Sequence, residues 1–299
     1  MYITKALKFI SCAAVLLLGA QTQAHDKTPE VTIEAIPVAE GIYMLTGSGG
    51  NMGLSVGDDG AFLIDDQFAP LTDKIQAKIA TLSDQQVKFL INTHWHFDHT
   101  GGNENFGKRD AIIVAHHNVR TRLEAGGVIE AFKKEVPPAP SVALPVITFE
   151  ESLSFHFNGE TIHVEHPAPA HTDGDAIVFF DKANVVHMGD TYFNGFYPFI
   201  DASSGGSVLG VIQAVDSVLK KIDGKTKIIP GHGKLSNKAE LQAYHDMLAA
   251  VYAEVKKLKA KGMSVEAVVA AKPTAKFDAK WGAGFLAPDV WVALVYGAM

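Results

Sequence analysis

The sequence predicts an α/β fold in which two mixed sheets carry helices on their outer faces. Segments typical of strands and of helices occur in both halves of the 299-residue chain, which suits two sheets covered by helices. Apolar residues make up 47% of the chain and charged residues 20%, the balance of a globular protein with a sizeable core. Because no linker or internal repeat interrupts the pattern, we predict a single domain from 25 to 299.

Turn residues and apolar periodicity define the elements of the first half. The stretch VTIEAIPVAEGIYMLTG predicts two strands that break at Gly41, and GLSVGDDGAFLIDD predicts a hairpin around Asp58-Asp59-Gly60. Apolar residues at 71, 75, 79 and 82 predict a helix over 71–82. The runs VKFLIN and AIIVAHH predict short buried strands, and a helix over 118–125 is expected to follow the second of them.

The second half opens with the proline-rich segment VPPAPSVALP, which predicts a loop. The stretch SLSFHFNGETIHVEH predicts a hairpin that turns at Asn158-Gly159, and AIVFF and NVVHMGD predict two more strands. A helix over 208–222, a strand at TKIIPG and a long helix over 239–261 complete the expected elements.

The first 24 residues predict a secretory signal peptide. Lys5 and Lys8 precede an apolar run over 9–20, and Thr22 and Ala24 have the spacing of a signal-peptidase site, so we expect cleavage after Ala24. A membrane anchor is the alternative, as is a lipidated or retained segment, but twelve apolar residues fall short of the roughly 20 that span a bilayer. The sequence therefore predicts a periplasmic or secreted protein without a stable membrane span.

Cleavage would leave an acidic, cysteine-free chain. The only cysteine, Cys12, lies within the predicted signal peptide, so the mature chain would contain no disulfide and no thiolate ligand. Basic residues would fall from 26 to 24 against 33 acidic ones, a net charge of −9. Nucleic acids and anionic lipids select basic surfaces, so a small-molecule substrate is the expected partner. Nothing in the sequence specifies an oligomeric state.

The stretch INTHWHFDHTGGN concentrates metal-binding side chains at the end of a predicted strand. His94 and His96 are two apart in an extended segment, so that their rings can point the same way, and Asp98 and His99 follow at once. Four such polar groups are costly to pack together unless something binds them, and zinc accepts both imidazole nitrogen and carboxylate oxygen. An exposed loop that is rich in histidine by chance is the alternative.

HWHFDH with the trailing TGGN resembles the metallo-β-lactamase superfamily, and the chain offers the other motifs of that family in order. FLIDD supplies Asp65, PAHTDGD supplies His171, VHMGD supplies Asp190 and IIPGHG supplies His232. The resemblance covers 64–233 and implies an αβ/βα four-layer sandwich, in agreement with the strands and helices predicted above.

The resemblance also implies two zinc ions and the residues that hold them. The first ion would bind His94, His96 and His171, the second would bind Asp98, His99 and His232, and Asp190 would bridge both. Three neutral imidazoles would leave the first zinc with an open position, as in catalytic sites. Asp65 would orient a metal ligand, although it could simply initiate a turn, and Asp66 is the competing choice.

The implied chemistry is hydrolysis of an activated carbonyl by a zinc-bound hydroxide that Asp98 orients. The β-lactamase subclass with a cysteine on the second zinc is excluded, because the mature chain has no cysteine. His96 stands where flavodiiron proteins carry glutamate, which disfavours an oxygen-reducing iron protein. Export favours a β-lactam as the leading substrate, whereas Asp190 favours a lactone, ester or glyoxalase II-like thioester hydrolase. Outside the hydrolases, an iron-binding oxygenase or a non-catalytic metal binder is the alternative.

The aromatic stretch TYFNGFYPF follows Asp190 and is expected to form a wall of the site. Tyr192 and Asn194 are the candidate polar anchors for substrate, with ordinary core packing as the alternative, and WGAGFLAP near Trp281 is a second candidate wall.

His116 and His117 are expected at the surface, although either could face the site. His187 either packs within its strand or supports a metal ligand near Asp190. The other histidines are expected at the surface or in a solvated hairpin; they are His156, His163, His166 and His245.

Overall fold

Two mixed β-sheets form the centre of the protein, seen in a computed structural model that describes residues 30–299. The predicted signal peptide lies outside the described residues. The strands are β1 Glu34–Ala39, β2 Ile42–Thr46, β3 Met52–Gly57, β4 Gly60–Ile64, β5 Val87–Ile91, β6 Ile112–His116, β7 Gly127–Ile129, β8 Lys134–Val136, β9 Ile147–Phe149, β10 Ser152–Phe157, β11 Glu160–Glu165, β12 Ile177–Phe180, β13 Val185–His187, β14 Phe193–Asn194, β15 Lys227–Ile229, β16 His232–Gly233 and β17 Ser236–Asn237.

The first sheet has seven strands in the order β1-β2-β3-β4-β5-β6-β9, and the second has six in the order β10-β11-β12-β13-β15-β17. In the first sheet β1 to β4 pair antiparallel, whereas β4, β5, β6 and β9 run parallel. In the second sheet β13 and β15 are the parallel pair. β14 pairs with β16, and β7 with β8, as separate two-stranded ribbons.

Helices cover the outer faces of both sheets. They are α1 Thr72–Ala80, α2 Phe97–Thr100, α3 Asn103–Gly107, α4 His117–Ala125, α5 Val208–Lys221, α6 Lys238–Ala260, α7 Val265–Ala270, α8 Asp278–Trp281 and α9 Pro288–Gly297. The described helices include none with the length and apolar character needed to cross a membrane.

The alternation of side chains along β4 shows how the layers are built. Phe62 and Ile64 point into an apolar cluster shared with the second sheet, whereas Leu63 points into another that contains Ile75 and Ile79 of α1. Successive residues of a strand point to opposite faces, so one apolar run serves two layers.

The outer face of the second sheet is covered by α5 and α6. Val186 of β13 belongs to a large cluster with Val211 and Val215 of α5 and Leu241 of α6. The layers are therefore helix, sheet, sheet and helix, which confirms the predicted four-layer sandwich. Val31–Met299 forms one compact unit.

Several elements depart from the expected map. The β7–β8 hairpin and β9 were not predicted, because their exposed and short stretches lack a buried periodic face. The loop predicted at 94–99 contains the start of the short helix α2, which ends at Thr100. The C-terminal helices α7 to α9 were also missed. Trp291 of α9 is buried against Tyr197, with ring centres 4.2 Å apart.

Candidate metal centre

The predicted ligands meet at the edge where strands of both sheets end. His94 and His96 follow β5, Asp190 follows β13, and His232 follows β15, while His171 lies in the loop between β11 and β12. The carboxyl ends of parallel strands are where a rigid scaffold presents loops, so side chains distant in sequence converge there.

The seven candidate ligands form two groups. His94, His96, His171 and Asp190 make up the first, and Asp98, His99 and His232 the second. Within each group one ligand atom per residue lies within 4.8 Å of all the others. These are the two sets that the family resemblance implies, so the described structure brings together every residue of the predicted metal site.

Asp190 connects the two groups. Its Oδ2 lies 3.5 Å from Nε2 of His171 and 3.8 Å from Nε2 of His94 in the first group, and 3.4 Å from Nε2 of His232 in the second. Its Oδ1 lies 3.2 Å from Nε2 of His99. One buried carboxylate therefore faces both groups, as a bridging ligand must.

Asp65 fixes two of the imidazole rings. Nδ1 of His99 donates to Asp65 Oδ2 at 2.8 Å. The Thr93 hydroxyl also donates to Asp65 Oδ2, at 2.7 Å, and accepts from Nδ1 of His94 at 3.0 Å. Because the Nδ1 atom of each ring carries the proton, Nε2 presents its lone pair to the cluster. Asp66, the competing choice, instead accepts the Gly102 backbone N–H at 2.8 Å.

Asp201 is a partner of the site that the sequence analysis missed. It accepts from His96 Nε2 at 3.0 Å, and its carboxylate also caps the turn at Ala202–Ser204. His171 Nδ1 donates to the Phe199 carbonyl at 2.9 Å. The sequence DASS signals a helical cap, but no local pattern could show that the same carboxylate reaches His96.

Burial and charge set the protonation of the cluster. Burial lowers the pKa of His94 well below its usual value and that of His171 to about 4, so both rings are neutral near pH 7. Burial would also lower the pKa of His232, but Asp190 and Asp98 outweigh it and raise that pKa to about 9. A cation must displace the His232 proton, so cation affinity rises with pH.

Two observations fit a cation in this cluster. His94 Nε2 and Asp190 Oδ1 are buried yet make no hydrogen bond within residues 30–299, although buried polar atoms are normally paired. In addition, a Cβ on Gly50 would lie 2.1 Å from the His99 ring, and one on Gly231 would lie 2.0 Å from Asp190 Oδ1. Only glycine lets the backbone approach the candidate ligands so closely.

A cavity of about 340 Å³ opens over the cluster, with His96, Asp98, Asp190 and His232 as its polar lining. The expected substrate anchors are not part of this lining, and the interpretation of Tyr192 and Asn194 was wrong. Tyr192 is fully buried, and Asn194 donates to the Lys234 carbonyl at 3.0 Å. The wall expected near Trp281 is present, because Phe285 lines the cavity.

We expect Tyr192→Phe to lower stability without changing catalysis. The Tyr192 hydroxyl hydrogen-bonds to Ser236 Oγ at 2.7 Å in the core, and its loss should cost about 1–2 kcal/mol of unfolding free energy. Urea unfolding and steady-state kinetics measure the two quantities. A raised KM at unchanged stability would contradict this prediction and show that Tyr192 contacts the substrate.

The other histidines also depart in part from expectation. His116 is buried rather than at the surface, and its ring stacks on that of His166 with centres 3.8 Å apart. His187 packs within its strand, as one of the alternatives held, and its Nε2 donates to the Asn51 carbonyl at 3.1 Å. His245 is partly exposed on α6.

Comparisons with known proteins agree with this geometry. The hydroxyacylglutathione hydrolase of Pelagibacter ubique is 25% identical over 199 residues, which cover 63% of this chain and 72% of that protein. Among solved structures, a metallo-β-lactamase from Pontibacter korlensis has a TM-score of 0.59 at 19% identity, over 73% of this chain and 99% of that one.

An inverting sec-alkylsulfatase from a Pseudomonas species has a TM-score of 0.70 at 16% identity, over 88% of this chain. This chain spans only half the length of that enzyme. At these identities the structural likenesses show the fold. A family model described as the metallo-β-lactamase superfamily matches residues 45–233, and the chain therefore belongs to the metallo-β-lactamase superfamily.

Proposed function

We propose that this protein is a hydrolase with two zinc ions that cleaves the activated carbonyl group of a small molecule. Its superfamily is one of hydrolases. The observation that carries the proposal is the position of Asp190, whose two carboxylate oxygens face candidate ligands of both groups. Nitrogen and oxygen donors without thiolates are a suitable set for catalytic zinc.

The chain offers a distinct set of residues to each ion. His94, His96 and His171 would hold the first, Asp98, His99 and His232 would hold the second, and Asp190 would contact both. Paired divalent ions polarise a carbonyl oxygen and lower the pKa of water from 15.7 to about 7, which makes a nucleophile available at neutral pH.

Asp98 has the position and charge for a second role as the catalytic residue. Its side chain lines the cavity and is 22% exposed, whereas the side chain of Asp190, which also lines the cavity, is 5% exposed. Burial would raise the pKa of Asp98, but the neighbouring His99 and His232 outweigh it and lower that pKa to about 2. Asp98 is therefore ionised at neutral pH, and it can accept a hydrogen bond from the attacking water and orient it.

Three substrate classes compete within this proposal. The predicted export favours β-lactams, the relative from Pelagibacter ubique is named for a thioester substrate, and a carboxylate shared by two ions suits lactones and esters as well. The purified mature chain, loaded with zinc, should be given a chromogenic β-lactam, an acyl lactone, an aryl ester and a thioester.

We expect hydrolysis of at least one of these compounds, with two zinc ions per chain and loss of activity on chelation. The ratios of kcat/KM rank the classes, because they compare transition-state binding. One tightly held iron and no zinc, together with no hydrolysis, would exclude the proposed function and favour the oxygenase or metal-binder alternative.

A further inference from the structure

The cavity above the candidate metal centre is lined by aromatic side chains. Apart from the four polar residues and Ile129, its lining consists of seven phenylalanines. We call them the aromatic cup: Phe68, Phe97, Phe193, Phe196 and Phe199, with Phe132 and Phe285 at the mouth. Small-molecule sites are mostly apolar with a few polar groups, but here the polar groups all belong to the metal centre.

The cup is continuous with the candidate ligands. The ring of Phe193 stacks on that of His232, with centres 5.1 Å apart and planes 21° from parallel. The ring of Phe199 stacks on that of His96, with centres 5.8 Å apart. A group bound against Phe193 or Phe199 therefore lies beside the reacting part of a substrate.

The two residues at the mouth are unusually exposed. Phe132 is 48% exposed and Phe285 is 57% exposed, and they are the exposed phenylalanines among residues 30–299. Phe132 comes from the β7–β8 hairpin and lies 4.7 Å from Phe199, while Phe285 precedes α9 and lies 6.3 Å from Phe193, measured between ring centres. Two separate segments thus present large apolar side chains to one cavity, which marks a binding site rather than scattered surface residues.

The seven phenylalanines of the cup have no basic side chain among them. No lysine or arginine is among its described lining residues. The exposed Lys134 lies beside it, with its amine 5.4 Å from the ring centre of Phe97. A carboxylate held against the phenylalanines, away from the metal centre and from Lys134, would lose its hydration without gaining a partner, which is costly.

We propose that the aromatic cup binds an uncharged alkyl or aryl group of the substrate, and that Phe132 and Phe285 determine specificity for that group. This inference rests on the proposed hydrolase function and narrows its substrate class. It favours neutral lactones and esters with an apolar chain over β-lactams and glutathione thioesters, because the latter two carry carboxylates.

A binding measurement tests the cup without any hydrolysis. The zinc-loaded protein is titrated with N-phenyl-1-naphthylamine, a neutral apolar probe whose fluorescence rises on burial. The double variant Phe132→Ala/Phe285→Ala should bind it at least tenfold more weakly than the unaltered chain. The matched control Val146→Ala/Leu209→Ala removes two exposed apolar side chains away from the cavity and should change binding less than twofold. Equal binding by all three proteins would overturn the proposal.

A kinetic series tests the substrate class. Aryl esters with two, four and six carbons in the acyl chain should show kcat/KM rising about three- to fourfold for each added methylene, as expected if each methylene is buried. A six-carbon acyl chain that ends in a carboxylate should react at least tenfold more slowly. The double variant should flatten the dependence on chain length, because the longer acyl chains lose the contacts that distinguish them from the shorter ones.

The binding measurement and the kinetic series distinguish an error in the proposed role of the aromatic cup from an error in the proposed hydrolase function. If no substrate is cleaved but the double variant loses the probe, the hydrolase function is wrong and the cup remains a binding site for apolar groups. If the esters are cleaved but chain length has no effect and the carboxylated chain reacts equally fast, the hydrolase stands and the inference is wrong.

Discussion

Asp190→Ala is expected to abolish hydrolysis and to remove metal from both groups of ligands. Its carboxylate lies within 3.8 Å of candidate ligands in each group, so its loss leaves both ions without a shared anion. Loss of a partner that only orients a ligand already costs about 10–100-fold, and loss of this ligand should exceed that range. Metal analysis after dialysis and kcat/KM for the best substrate measure the two effects.

The fold should survive this substitution. The three apolar clusters that hold the four layers contain none of the candidate ligands. Burial lowers the pKa of His99 and His232 and Asp190 raises it, so removal of Asp190 shifts both rings toward their neutral forms and limits the cost of losing their partner. The destabilisation should stay below the about 3–5 kcal/mol typical of breaking a buried ion pair.

His245→Ala provides the control for this experiment. His245 lies on α6 with a partly exposed side chain that contacts Asp246, and its replacement should leave metal content and rate unchanged. Equal damage from His245→Ala and Asp190→Ala would contradict the assignment of the ligands.

Features that depend on local chemistry could be predicted from the sequence. Asn158 and Gly159 both have positive φ, 53° and 69°, as a tight hairpin turn requires, and that pair of residues specifies the turn by itself. The helix over 208–221 was predicted to within one residue, because its apolar period is a local signal, and the structure shows that Ser207 caps its start.

The substrate wall shows where such reasoning fails. Tyr192 has an extended backbone, so its side chain and that of Phe193 point in opposite directions. Tyr192 enters the core and Phe193 lines the cavity. The sequence reveals an aromatic run after a metal ligand. Which of its residues face the site depends on the pairing of β14 with β16, and no local pattern encodes that contact.

Distance along the chain limits the prediction of partners in the same way. Asp201 holds His96 from 105 positions away. The wall near Trp281 was expected as a segment, but the sequence could not assign it to Phe285. Asp65, by contrast, could be proposed because the resemblance supplied its position. Its contacts with His99 and Thr93 give that proposal a physical basis.

Asp65→Asn is expected to lower zinc affinity and kcat/KM by about 10–100-fold while preserving the fold. Asp65 Oδ1 accepts the Thr93 backbone N–H at 2.7 Å, and Oδ2 accepts both the Thr93 hydroxyl and His99 Nδ1. An asparagine must place its NH₂ group against one of these donors. If that donor is His99, the ring can pair only by moving its proton to Nε2, which removes the lone pair that faces the cluster.

The choice of asparagine separates orientation from backbone strain. Asp65 has φ of 59°, a left-handed conformation that asparagine tolerates but alanine adopts at a cost of about 1–2 kcal/mol. Asp65→Ala should therefore lose both zinc affinity and stability, whereas Asp65→Asn should lose mainly affinity. Competition for zinc against a chromophoric chelator, together with urea unfolding of each variant, resolves the two contributions.

Asp66→Asn is the matched control, because Asp66 is the neighbouring residue and is equally buried. Its Oδ1 accepts the Gly102 N–H, and an amide oxygen can accept the same bond. In the described structure its side chain makes no hydrogen bond to a candidate ligand, and its backbone N–H, which donates to the His99 carbonyl at 2.9 Å, is unchanged by the substitution. Zinc affinity should therefore stay within about twofold of the unaltered protein, a change below 0.5 kcal/mol on the usual conversion. Equal loss of affinity in the two asparagine variants would show that zinc binding does not depend on the orientation of His94 and His99 by Asp65.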